Sequence, residues 1–145
     1  MDKKTKIEIL KNILAIESVN DNETAVADYI ASLFTNYQDV SIEKVAYAPN
    51  RDNLVITIGN SGPVLGYSGH MDVVAPGNLA DWSTPPFEPT IIDNRIFGRG
   101  ATDMKGGLSA LVVALLELLE KKTDLPGQIR LLATVGEETG EYGAA

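Results

Sequence analysis

The chain has 145 residues, of which 44% are apolar and 22% charged, the proportions of an ordinary globular domain. Its net charge of −8 argues against nucleic acid and anionic membranes as partners, and the absence of cysteine excludes disulfides and thiolate metal ligands. The longest apolar run, 108–119, contains Glu117 and is too short to span a bilayer. No secretory apolar stretch comes after Met1. We therefore expect a cytoplasmic protein without nucleic acid or membrane partners.

Two helices are predicted at the N-terminus. Apolar residues recur at helical spacing over 4–16. A second helix is expected after Asn20, with Asn20 as the N-cap and Glu23 three residues later completing a capping box. The apolar positions that we expect both helices to bury are Ile7, Leu10, Ile13, Leu14, Val26, Ile30, Leu33 and Phe34.

Short strand-like segments come after these helices. Residues rich in β-branched and aromatic side chains predict strands at 40–47, 54–58 and 64–67. Three prolines exclude regular structure from 81–89. Beyond them, 91–92 and 95–97 are joined across Asp-Asn, which predicts a short hairpin.

The last third of the chain predicts a helix and then a strand. Residues 104–122 carry the strongest helical pattern, and because they are apolar nearly all round we expect burial on both sides of the helix. Residues 128–135 form a leucine-rich and β-branched run typical of a central strand. Strand, helix and strand in this order indicate an α/β fold, in which ligands gather beyond the carboxyl ends of strands.

Three short acidic segments lie where predicted strands end: 68–72, 98–107 and 136–140. Together they supply one imidazole and four carboxylates, a ligand mixture typical of catalytic zinc. The segments therefore favour a metal-dependent hydrolase.

Each potential ligand in these segments can be given a chemical role. His70 and Asp72 are two apart, so an extended strand points both to one side, and a metal-ligating His70 would donate its other N–H to Asp72. Asp103 can bridge two cations with its two oxygens. Glu137 and Glu138 are adjacent and diverge, so one can bind metal while the other acts as a general base. The alternative for this pair is an ordinary acidic helix entry.

A phosphate-binding loop is the competing interpretation of the second segment. Gly98-x-Gly100-x-x-Asp103 lacks the third glycine of a dinucleotide fingerprint, and no Gly-Lys-Ser/Thr comes after it. An acidic side chain at 103 would repel phosphate. A nucleotide-binding module is therefore disfavoured.

The blocks S-G-H-M-D-V-V, G-R-G-x-x-D-M-K-G-G and E-E-x-G resemble those of the M20 family of metallopeptidases and amide hydrolases. The resemblance extends from about residue 5 to the end of the chain. It implies an α/β fold, part of a three-layer α/β/α zinc-exopeptidase-like domain with a mixed, largely parallel central sheet. It further implies hydrolysis of an amide bond in an N-acyl amino acid or peptide, and desuccinylase-like or deacetylase-like members are the most similar.

The resemblance also implies site residues and cofactors. It makes His70 a terminal ligand of one metal, Asp72 its support, and Asp103 a bridging ligand with a cis peptide bond after it. Glu137 corresponds to the general base that deprotonates a metal-bridged water, and Glu138 to a terminal ligand of the second metal. The expected cofactors are two divalent metal ions, zinc first, with cobalt or manganese as alternatives.

The chain departs from this family after the third acidic segment. Complete members carry a further acidic ligand, a histidine near the C-terminus, and an inserted lid domain that dimerises, none of which is found in 1–145. We therefore expect 1–145 to be the N-terminal portion of the catalytic domain. We expect such a fragment to be catalytically inactive and to self-associate, whereas the full-length form would be a homodimer. Two alternatives stay open beside it: a dipeptidase or carboxypeptidase of the same family, and a non-catalytic binding relative.

Overall fold

A computed structural model describes residues 1–140 and Gly143. The helices are α1 (Lys3–Ala15), α2 (Glu23–Ser32) and α3 (Lys105–Glu120). The strands are β1 (Val40–Ala48), β2 (Arg51–Ile58), β3 (Val64–His70), β4 (Thr90–Ile92), β5 (Arg95–Phe97) and β6 (Gln128–Thr134). Short 3₁₀ turns occupy Leu79–Asp81 and Glu137–Thr139.

Four strands form one mixed sheet in the order β1-β2-β6-β3. β6 pairs antiparallel with β2 and parallel with β3, while β1 and β2 pair antiparallel. The mixed sheet and the central place of β6 are therefore confirmed. The expected excess of parallel strands is not found within the described part of the chain, where one of the three pairings is parallel.

The core lies between the three helices and one face of this sheet. Alternate residues of β2 and β6, including Leu54, Ile56 and Leu131, are buried and join one cluster with helix residues such as Val26 and Ile30. This period of two is what a strand with one covered face requires. The opposite face has no helix against it among the described residues, so the expected third layer is not seen in this part of the chain.

Three expectations for the N-terminal helices are wrong. α1 buries Ile9 where Ile7 and Leu10 were expected, and Leu33, which was expected to be buried, is only partly buried. α2 begins after Asn22, not after Asn20, and Asn22 makes no side-chain capping bond. Glu23 does not close a capping box, because its carboxylate binds the guanidinium of Arg51 instead.

α3 packs against both α1 and β3, yet only one stripe of it is fully buried. Leu108, Val112 and Leu115 lie in this stripe, whereas Ala110 and Ala114 are exposed. The expectation of burial on both sides is therefore wrong, since small alanines account for part of the apolar pattern. No helix in the described residues is long and apolar enough to cross a membrane.

The hairpin of β4 and β5 is confirmed. Asp93 and Asn94 both have positive φ, 49° and 61°, as a type I′ turn requires. The proline-rich stretch before it has no helix or strand after the 3₁₀ turn at Leu79–Asp81, as predicted.

Candidate metal centre

The three acidic segments meet at one edge of the sheet. β3 and β6 are parallel and in register, with His70 opposite Thr134, so both strands end at the same edge. The chain after β6 turns at Gly136, whose φ of 72° suits glycine, directly into Glu137. The loop before α3 brings Asp103 to the same place, because α3 packs against β3.

Four predicted site residues lie close together here. His70 Nε2 is 3.1 Å from Asp103 Oδ1 and 3.6 Å from Glu137 Oε2. One ligand atom from each of His70, Asp103 and Glu138 lies within 4.8 Å of the other two. The imidazole is buried, whereas the side chain of Asp103 is 74% exposed. One side of the cluster is therefore enclosed by protein and the other is open to solvent.

Asp72 contributes differently from what its spacing predicts. The nearest acceptor to His70 Nδ1 is the backbone carbonyl oxygen of Asp72 at 2.9 Å, and the carboxylate Oδ1 is 3.5 Å away. The fully buried carboxylate instead accepts the backbone N–H groups of Glu137 at 3.2 Å and Glu138 at 3.0 Å. Asp72 therefore supports the imidazole through its main chain and the third acidic segment through its side chain.

The electrostatics of the cluster favour a cation. Hydrogen bonding to Asp72, opposed by burial and helped by Asp103, raises the pKa of His70 to about 9. Burial alone would raise the pKa of Asp72, but hydrogen bonds from His70 and from the two glutamate amides hold it below its usual value. Burial, with the nearby Asp103 carboxylate, raises the pKa of Glu138. A cation bound at the centre would offset the repulsion between these carboxylates.

The loop that carries Asp103 is shaped by close packing. The Asp103–Met104 peptide bond is cis, as the family resemblance implied. The backbone N–H of His70 contacts Met104 Sδ at 3.3 Å, and a Cβ at Gly69 would lie 2.9 Å from Met104 Cε. Glycine at 69 therefore lets Met104 lie against the end of β3.

A cavity of about 280 Å³ adjoins the cluster and is lined in part by His70, Met104, Thr134 and Glu137. A larger groove of about 750 Å³ lies at the opposite edge of the sheet, beside Tyr37 and Leu125. None of the predicted site residues lines that groove. The smaller cavity is therefore the one associated with the acidic segments.

Two supporting residues were missed by sequence reasoning. Ser18 is fully buried and donates its hydroxyl to the carbonyl oxygen of Met71. Lys105 is also fully buried and donates to the carbonyl oxygen of Ile16, and this burial lowers the pKa of Lys105 to about 8. Lys105 belongs to the second acidic segment, but nothing in its spacing predicts a partner 89 residues away.

The profile of peptidase family M20/M25/M40 matches residues 66–145, which contain all three acidic segments and more than half of the chain. The chain belongs to this family. This match confirms the resemblance drawn from the sequence blocks.

Two members of the family show how much of a complete relative the chain covers. It is 48% identical over 144 residues to the "Probable succinyl-diaminopimelate desuccinylase" of Staphylococcus epidermidis, covering 99% of this chain and 35% of that protein. The "Succinyl-diaminopimelate desuccinylase" of Wolbachia pipientis is 35% identical over 138 residues, covering 94% and 34%. The chain thus spans about a third of the length of these relatives.

Solved structures agree with the fold. Human carnosine dipeptidase 1 matches with a TM-score of 0.79 at 26% identity, over 97% of this chain and 33% of that chain. The M20 family metallo-carboxypeptidase Sso-CP2 from Sulfolobus solfataricus matches with a TM-score of 0.78 at 26% identity, over 97% and 32%. The α/β fold class is therefore confirmed.

Proposed function

We propose that this chain is the N-terminal portion of the catalytic domain of a metal-dependent amidohydrolase that cleaves the amide bond of an N-acyl amino acid. The observation that carries the proposal is the convergence of His70, Asp103 and Glu138 within 4.8 Å, with Glu137 beside them. The 48% identity to a probable desuccinylase supports an N-acyl substrate.

The residues present fit divalent metal ions. Two ligand atoms that bind one zinc at about 2.0–2.1 Å with tetrahedral angles lie roughly 3.4 Å apart. The 3.1 Å between His70 Nε2 and Asp103 Oδ1 suits this arrangement. His70 and Asp103 would hold one ion, and Asp103 and Glu138 a second, with zinc as the proposed metal and cobalt or manganese as alternatives. When bound, such ions supply Lewis acidity that polarises a carbonyl and lowers the pKa of water.

The remaining groups suit proton transfer and orientation. The side chain of Glu137 is 45% exposed and its Oε2 faces His70, so it can accept a proton from a water on the solvent-exposed side of the cluster. Asp72 orients His70 through its carbonyl and holds the backbone of both glutamates through its carboxylate. Glu137 is therefore the proposed general base and Asp72 a positioning residue.

The ligand count limits what this chain does alone. Catalytic zinc commonly has three protein ligands and a water, whereas His70, Asp103 and Glu138, with Asp103 shared, supply two at each ion. We infer that the 145-residue chain binds metal weakly and does not hydrolyse amides by itself. The complete protein, about three times as long in the matched relatives and in our proposal a homodimer, would supply the other ligands.

The test is an assay of the complete protein that contains this chain, with N-succinyl and N-acetyl amino acids as substrates. Replacing Glu137 by Gln should lower kcat by about 10²–10⁴-fold, since general-base catalysis contributes about that factor. Glu88→Gln, a change in an exposed proline-rich loop, is the control and should leave kcat unchanged. Full activity in Glu137→Gln would reject the proposed base, and no hydrolysis at all by the wild type would favour a non-catalytic binding relative.

Peptide hydrolysis is the second candidate. The structural matches to a carnosine dipeptidase and a metallo-carboxypeptidase, both at 26% identity, favour it. Comparing kcat/KM for dipeptides with kcat/KM for N-acyl amino acids in the complete protein separates the two. A higher value for dipeptides would replace the first candidate by the second.

A further inference from the structure

The short segment 16–19, between α1 and α2, contacts two of the acidic segments at once. We call it the N-terminal brace. It carries no metal-ligating side chain of the cluster, and Ser18 within it is fully buried.

The brace is bound to the segment that carries His70. Ser18 Oγ donates to the carbonyl oxygen of Met71 at 2.7 Å, and the backbone N–H of Val73 donates to the carbonyl oxygen of Ser18 at 3.0 Å. Val19 and Val73 form a parallel bridge. These contacts flank Asp72 on both sides, so the brace fixes the backbone that supports the imidazole.

The brace is bound separately to the segment that carries Asp103. Lys105 Nζ donates to the carbonyl oxygen of Ile16 at 2.6 Å, next to the C-terminus of α1. The methylenes of Lys105 lie 3.3–3.5 Å from where a Cβ at Gly100 would stand, so the absence of a side chain at 100 makes room for the lysine. Lys105 therefore connects the start of α3 to the brace.

A lysine is an unusual residue at this fully buried position. No carboxylate of the described residues lies within 4.0 Å of its ammonium group, and removing an ammonium from water without an ion-pair partner is costly. An apolar side chain would fill the same space without that cost. What the ammonium adds is a directed bond to one carbonyl of the brace, together with an electrostatic attraction to Asp72.

We propose that Ser18 and Lys105 are positioning residues, which act through the N-terminal brace to hold the segments of His70 and Asp103 at the separation that metal binding requires. The inference rests on the proposed metal site and deepens it. It implies that a segment about 50 positions before His70 in the sequence helps to set the metal affinity.

The experiment measures Co²⁺ binding to the 145-residue chain. His70 is the only histidine, so its ring gives one set of NMR signals that reports binding directly, and the visible absorption of Co²⁺ reports its coordination geometry. Ser18→Ala removes only the hydroxyl bond, and Lys105→Met removes the ammonium while keeping the stem. Ser32→Ala is the control, because Ser32 also donates its hydroxyl to a backbone carbonyl, that of Tyr29 at 2.6 Å within α2, and contacts neither the brace nor Lys105 through that bond.

We expect Ser18→Ala and Lys105→Met each to weaken Co²⁺ binding about 10- to 100-fold, as loss of a group that orients metal ligands typically does. We also expect an altered Co²⁺ spectrum in both, while Ser32→Ala keeps the wild-type affinity and spectrum even where its free energy of unfolding falls. If Lys105→Met does not fold, Ser18→Ala alone decides the test, since it removes one buried hydroxyl and leaves the bond of Lys105 intact.

Two results would overturn the inference, and they are distinguishable. If the wild type binds Co²⁺ and the variants bind it with unchanged affinity and spectrum, the brace is a stabilising element only and the proposed metal site stands. If neither the 145-residue chain nor the complete protein that contains it binds Co²⁺, the metal site and the brace's role both fail.

Discussion

The buried carboxylate of Asp72 accepts the backbone N–H of Glu138 at 3.0 Å, across 66 positions of sequence. Its other oxygen accepts the N–H of Glu137 at 3.2 Å. One side chain two residues after the end of β3 therefore fixes the position of the acidic pair that follows β6. Because these bonds are made entirely by the chain's own groups, the fold itself preforms much of the site.

Replacing Asp72 by Asn should uncouple the two strand ends. The amide keeps the shape but has one acceptor oxygen, so one glutamate N–H loses its partner. We expect the free energy of unfolding to fall by about 1–3 kcal/mol, the usual cost of a buried unsatisfied group. Urea denaturation measures this, and Asp81→Asn, at an exposed position, should change it by less than about 0.5 kcal/mol. Equal stability of both variants would contradict the assigned role.

The ion pair between Glu23 and Arg51 should be one of the most costly to break. Glu23 is fully buried, and Arg51 binds it through Nε at 3.0–3.1 Å and Nη2 at 2.6 Å. Arg51→Met leaves a buried carboxylate without its cation, which costs about 3–5 kcal/mol. Lys44→Met, which breaks an exposed pair with Asp28, should cost at most about 1 kcal/mol. Similar losses in the two variants, measured by urea denaturation, would show that the pair contributes little.

The metal-free chain should lose stability as the pH rises from about 6.5 to 9. The folded pKa of His70, about 9, lies above its unfolded value of about 6.5. Protonation therefore favours the folded state, so the contribution is complete below the unfolded pKa and disappears as the pH rises through the folded one. The lowered pKa of Lys105 makes its contribution to stability rise with pH, but this contribution is present in both wild type and His70→Gln. The difference in Tm between these two proteins isolates His70, and a difference that does not change with pH would contradict the prediction.

Metal binding should have the opposite pH dependence over the same range. A metal ion must displace the proton on His70, so the apparent affinity for Mn²⁺ should rise with pH up to about 9. Titration calorimetry in buffers of different ionisation enthalpy measures the released protons. Binding at about pH 7 without proton release would show that His70 is not a ligand.

Two glycines with similar backbone angles should differ in their tolerance of alanine. Gly100 has φ +80° and Gly77 has φ +75°, but a Cβ at 100 would lie 2.7 Å from Val73 Cγ1, whereas nothing lies within 4 Å at 77. Both changes carry the strain of positive φ, and Gly100→Ala adds overpacking of about 1–3 kcal/mol. Thermal or urea denaturation should show this difference. Equal losses would mean that the loop before α3 moves aside freely.

The outer edge of β3 should promote self-association of the chain. β3 pairs on one side only among the described strands, and Val64, Leu65 and Tyr67 are 50%, 54% and 41% exposed. Exposed apolar edge strands pair readily with other copies. Light scattering at rising concentration should show oligomers that Leu65→Lys reduces and Leu79→Lys, in an exposed turn, does not. A monomeric wild type throughout would contradict this prediction.

The sequence predicted most of the regular structure because its local patterns are strong. The hairpin at Asp93-Asn94 arises from two residues that tolerate positive φ, and β6 arises from a leucine-rich and β-branched run. The start of α2 could not be predicted in this way. Glu23 has the spacing of a capping box, but its partner, Arg51, lies 28 positions away and is brought there only by packing of α2 against β2.

By itself, the sequence determined the family, the α/β order of elements and the residues with ligand chemistry, because these reside in short blocks whose local conformation and side-chain type are readable in one dimension. Only the tertiary structure decided that Asp72 binds the glutamate amides and that Ser18 and Lys105 connect the N-terminal brace to two acidic segments. Those contacts join groups between 53 and 89 positions apart, and burial selects their partners. No spacing rule along the chain reaches that far.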